Sequence, residues 1–171
     1  MLLTLKAVEH FFAPWQSVYS DSKVISTTVV GAHVLAMFIG GGFAVGADRT
    51  TLRTLRADAG ERARQLAELH QIHTPVLVSM AVLVVTGIML ATADIKTFAT
   101  APMFWIKLAL VGSLMVNGAV LTKTEQSLGR ERVAADGAHQ QLWGRLRTIS
   151  WMSLLLWSAT LIAGVILQNA T

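Results

Sequence analysis

The chain contains no cysteine. Disulfides, thiolate metal centres, cysteine-ligated iron–sulfur clusters and cysteine nucleophiles are therefore excluded. Charge is also scarce. Asp, Glu, Lys and Arg make up 14% of the 171 residues, where a soluble domain carries about a quarter. Familiar catalytic motifs are missing too: there is no G-x-S-x-G, no P-loop and no H-E-x-x-H. No paired carboxylates fall inside an apolar run, and no run carries the polar face that a channel or transporter uses. Nothing alternates with strand period, which argues against a transmembrane barrel. No internal repeat or low-complexity segment is present.

Apolar residues make up 53% of the chain, and the mean hydropathy is +0.55. A membrane helix needs about 20 mostly apolar residues to cross about 30 Å of hydrocarbon. Four segments meet this, at about 24–47, 75–93, 103–122 and 149–167. The expected fold is all-α: an integral membrane four-helix bundle over 22–171, preceded by a short segment at 1–21. In that segment Leu2, Leu5, Val8, Phe12, Trp15 and Tyr19 recur at near-helical spacing, with Pro14 interrupting. It lacks the basic start, clean apolar core and small-residue cleavage site of a signal peptide. It reads as an amphipathic helix lying in the membrane interface.

The sequence pI near 10.0 is explained by topology. Two connections on one side of the membrane hold Arg49, Arg53, Arg56, Arg62, Arg64, Lys123, Arg130, Arg132, Arg145 and Arg147. The other side holds Lys6, Lys23 and Lys96. The positive-inside rule then places the arginine-rich connections in the cytoplasm and both termini in the periplasm of a bacterial inner membrane. Such a basic surface suits anionic lipid headgroups. No motif supports nucleic-acid binding. Asp48 and Asp94 read as boundary residues, Asn117 as a cross-helix hydrogen-bonding residue, and Trp105, Trp151 and Trp157 as belt or packing residues.

Two ionisable groups stand inside spans, where such groups are costly and mark sites or bundle interiors. His33 lies roughly 13 Å deep in the first span, near the midplane, and Lys107 roughly 6 Å deep in the third. The helical face of His33 carries Ala36, Met37, Gly40 and Ala44. Small residues there let another helix, or a flat cofactor, approach closely. The glycines Gly40, Gly41, Gly42 and Gly46 extend that thin surface. His33 is thus either a ligand for haem or another metal, or a neutral histidine bonded across helices to Thr86, Ser113 or Ser158. The stem of Lys107 is long enough to reach the headgroups instead.

His70, His73 and His139 form a weaker alternative. The first two are three apart, on one helix face, and chelate a metal only with help from Glu68 or His139. Exposed loop positions are the simpler reading. Depth also separates them from His33: His73 is roughly 20 Å lower, so the two cannot share one iron as axial ligands.

"AHVLAMFIGGGFAVGADRTTLR", "VTGIMLATADIKTFATAPMFWIKLAL" and "SLLLWSATLIAGVIL" resemble small bacterial four-span membrane proteins, closest to an uncharacterised family. In layout they are similar to copper-resistance D-like membrane domains and HemJ-type protoporphyrinogen oxidases. The resemblance runs from about Ser26 to Asn169. It rests on one histidine in span one, a threonine–glycine in span two and an aromatic-x-x-lysine in span three. It implies b-type haem, with His33 and Lys107 as the functional residues. The oxidase activity is not carried over, because the arginine-rich stretch after span one departs from that enzyme family. Two functions follow as expectations. One is a haem-binding electron-transfer subunit that meets quinol or a periplasmic redox partner. The other is a non-catalytic accessory subunit packed against other membrane proteins in a larger complex.

Overall fold

The computed structural model describes residues 2–130 and 136–170, with side chains over 9–58, 60–128 and 140–167. Six helices follow in order: α1 (Leu2–Asp21), α2 (Lys23–Thr54), α3 (Ala59–Ala93), α4 (Ile95–Thr100), α5 (Pro102–Arg130) and α6 (Asp136–Ala170). There is no strand among the described residues. The protein is all-α, and α2, α3, α5 and α6 are each long and apolar enough to cross a membrane.

Local sequence explains the breaks. Ser22 turns the chain between α1 and α2, and its hydroxyl accepts the amide of Ile25 at the start of α2. Asp58 does the same for Glu61 at the start of α3, and Asp94 for Thr97 in α4. Short polar side chains at these positions satisfy amides that have no partner inside the helix. Asp94, a boundary residue in sequence, is thus a helix cap.

The helices α2 and α3 pack as one antiparallel hairpin, and α5 and α6 as a second. The hairpins join where α2 meets α6; α3 and α5 form the least closely packed side of the bundle. Outward positions are large and apolar. Phe38 is 78% exposed and Leu35 61%, as lipid contact requires. Inward positions on α2 are small: Ala36 and Gly40 are buried. A Cβ on Gly40 would stand 2.8 Å from the Ser79 Cβ, and one on Gly41 3.2 Å from the Trp157 ring. Gly42 and Gly46 face open space. The first two glycines are therefore spent on close approach of α3 and α6. Gly40→Ala is expected to cost about 1–3 kcal/mol through overpacking against Ser79, while Gly42→Ala leaves stability unchanged or higher. Equilibrium unfolding of the two variants in detergent checks the contrast.

The spans of α2, α3, α5 and α6 exceed the sequence expectation. They contain 29 to 35 residues, or about 44–53 Å against about 30 Å of hydrocarbon. The arginine-rich connections are therefore largely helical extensions, and α3 runs straight through Pro75. They fold because they have a core of their own. Leu128, Trp143 and Leu146 are buried together, flanked by Leu55, Leu66, Leu121 and Leu142. Arg62 closes this end. Its guanidinium donates to the Leu55 carbonyl at 2.7 Å and stacks 5.4 Å from the Trp143 ring.

At the opposite end α1 is braced against the bundle. Trp15 donates its indole N–H to the Met89 carbonyl (3.0 Å), and Gln16 donates to the Thr92 carbonyl (3.1 Å). Thr92 lies in the last turn of α3, where carbonyls lack helical partners. The first helix is thus fixed to α3 by specific bonds as well as by its apolar face. Asn117 bonds across helices as its position suggests, donating to the Ile149 carbonyl of α6. Trp157 is buried packing, whereas Trp105 and Trp151 are exposed.

Candidate functional site

His33 turns inward from α2 onto α3. Its Nδ1 lies 2.8 Å from Thr86 Oγ1, and a Cβ on Gly87 would stand 3.5 Å from its Cε1. Thr86 Oγ1 also lies 2.6 Å from the carbonyl of Val82, one turn back in the same helix. A hydroxyl has one hydrogen to give, and a carbonyl can only accept. The Thr86 hydrogen therefore goes to Val82, and Thr86 accepts from His33 Nδ1–H. The proton of the neutral ring is assigned to Nδ1, and Nε2 keeps its lone pair. No hydrogen bond joins Nε2 to another described residue. The other two partners considered from sequence do not bond His33: Ser113 donates to the Ala109 carbonyl and Ser158 to the Leu154 carbonyl, each in its own helix.

Lys107 comes to the same region from α5. Its ammonium lies 3.4 Å from where a Cβ on Gly164 of α6 would stand. Gly164 thus leaves the room that Lys107 occupies, and the lysine reaches across to α6. It is close enough to His33 for the two to interact electrostatically. No ion pair or hydrogen bond to Lys107 exists among the described residues. His33, Thr86 and Lys107 therefore bring three helices to one level, with a ring nitrogen lone pair and an unpaired cation.

A second polar cluster lies toward the arginine-rich end. Asp48 is 2% exposed and faces the hydroxyls of Ser150 and Ser153 on α6, with Glu125 of α5 in electrostatic reach. Glu125 is hydrogen-bonded to His73 Nε2 across the α3–α5 side. The second Glu125 oxygen, Oε1, is buried without a partner, and so is Ser150 Oγ, which lies beside Asp48 without closing a hydrogen bond. Below them Gln65 donates to Thr51, both buried. These groups can hold water and pass protons between α2, α3, α5 and α6. Sequence reading missed Asp48 and Glu125 as interior groups. The available signal was spacing: Asp48 and Thr51, Ser150 and Ser153, and His70 and His73 each recur at three residues, on one helix face.

The histidine alternative separates in the structure. His70 and His73 sit on α3 with ring centres 6.3 Å apart. His70 is exposed, whereas His73 is engaged by Glu125. The side chain of His139 lies outside the described residues. Among the described residues no group of three metal-ligating side chains forms. His73 and Thr86, the partner of His33, are 13 residues apart on α3, or about 20 Å, so the two polar clusters occupy different depths. No protein-family model, curated protein or solved structure matches this chain.

Proposed function

We propose that this integral membrane protein is an electron-transfer subunit of the bacterial inner membrane, binding b-type haem through His33 Nε2. The observation that carries this reading is the hydrogen count at Thr86. It orients the ring, fixes the proton on Nδ1 and leaves Nε2 as a donor, as second-shell partners of metal-bound histidines do. Lys107 supplies a cation with no partner among the described residues at the same level, suited to an acidic substituent of the cofactor. Haem bound there supplies one-electron chemistry, and quinol or a periplasmic redox protein is the partner class. The chain's own residues orient the ligand and hold positive charge beside it. The arginine-rich end is assigned to the cytoplasm on the positive-inside rule. The test is a reduced-minus-oxidised spectrum, with pyridine haemochrome extraction, of protein purified gently from its native membrane. A b-type signal supports the reading, and a featureless spectrum ends it.

One observation favours the accessory-subunit reading instead. The part of the glycine surface nearest His33 is already covered, Gly40 by Ser79 and Gly41 by Trp157. A flat group therefore cannot lie over Gly40 and Gly41, and these residues serve helix packing. Under this reading His33 and Thr86 are a cross-helix bond, and gentle purification yields a larger complex without haem absorbance.

A further inference from the structure

A cleft of about 900 Å³ opens at the arginine-rich end, between the end of α2, the start of α3 and the first half of α6. Arg53, Arg56, Arg62 and Arg147 line it, with Trp143 and Trp151. Among the described residues no acidic side chain lines it. The only ion pair among the described residues is His73–Glu125, so none of the four guanidinium groups is paired with a described carboxylate. Arg62 is held in place by the Leu55 carbonyl and the Trp143 face, and its Nε is buried without a partner. Four like charges converging without counter-charge repel one another, and a bound anion offsets that repulsion. Arginine's planar fork matches phosphate oxygens in pairs.

The position says which phosphate. Trp151 is 53% exposed at the start of the apolar run of α6, the level at which tryptophans mark the membrane interface. Arg53, Arg56 and Arg147 stand on the water side of that level. The cleft therefore spans the headgroup layer and has an aromatic floor in the buried Trp143. We infer that it binds the phosphate headgroup of an anionic phospholipid. The site is independent of His33 and does not rest on haem.

The full chain in mild detergent is titrated with phosphatidylglycerol, phosphatidylcholine and soluble glycerol phosphate, with bound species counted by native mass spectrometry. Two variants of equal charge are compared: Arg53→Gln/Arg147→Gln in the cleft, and Arg49→Gln/Arg145→Gln outside it. At about 1 kcal/mol per interfacial arginine, phosphatidylglycerol binds about 30-fold more weakly to the cleft variant, and the control variant matches wild type. Phosphatidylcholine binds weakly to all three. Soluble glycerol phosphate binding to wild type as tightly as the lipid overturns the lipid assignment and makes the ligand a soluble phosphate. Equal loss in both variants, or loss in neither, overturns the cleft as a phosphate site.

Discussion

On the proposed haem reading, replacing His33 with alanine is expected to remove the b-type absorbance completely, while the protein still inserts and runs as wild type in detergent. His33 presents a ring nitrogen, Nε2, with no hydrogen bond to another described residue, in the middle of an apolar span. Thr86→Val is the informative companion. It keeps His33 but deletes the acceptor that holds Nδ1–H, and outer-shell losses of this kind lower metal affinity about 10–100-fold. Partial haem occupancy, restored by adding haem, is expected for Thr86→Val, and none for His33→Ala. A purely structural His33–Thr86 bond predicts a different pattern. Both variants then lose a similar amount of stability, about 1 kcal/mol for one hydrogen bond, and neither alters a spectrum. Haem retained in full by His33→Ala would falsify the assignment whatever the wild-type spectrum shows.

Leu146→Ala produces the largest stability loss, about 2–5 kcal/mol. Leu146 is fully buried against Leu128 and Trp143, before the apolar run of α6 begins. Its truncation leaves a cavity flanked by water-facing helix, and the arginine-rich end loosens with it. Leu155→Ala, inside the apolar run of α6 and 62% exposed, is the control. A lipid tail refills the lost contact, so its cost stays within about 0.5 kcal/mol. Equilibrium unfolding in detergent separates the two. Equal effects would mean that this end has no independent core.

Hydropathy alone located the four spans, because bilayer thickness imposes a length that composition reveals directly. Depth along a span narrowed the cross-helix partner of His33 to Thr86, Ser113 or Ser158, and the structure selects Thr86. Three features were not. Asp48 and Glu125 each lie near the end of an apolar run, and a carboxylate there reads as the edge of the membrane. Only the helical extensions of α3, α5 and α6 enclose them. Those extensions were hidden because Arg62, Arg64, Arg145 and Arg147 dominate the composition, while Leu66, Leu69, Trp143 and Leu146 bury their side chains between them. The glycine face of α2 was legible as a thin surface, but not what fills it. Whether a flat group, Ser79 or Trp157 lies there depends on helix rotation, which one-dimensional spacing does not carry.

The weakly packed side between α3 and α5 has a consequence for access. The two hairpins are each closely packed and meet along α2 and α6. The named bridge on the fourth side, His73–Glu125, sits well below Thr86 on α3. The path of least backbone obstruction toward His33 and Lys107 therefore runs sideways, within the plane of the bilayer. On the proposed reading, a molecule reaching that level by this side would be sorted by its partition coefficient before its shape is read, favouring a long-chain molecule already dissolved in lipid over a water-soluble one of the same headgroup.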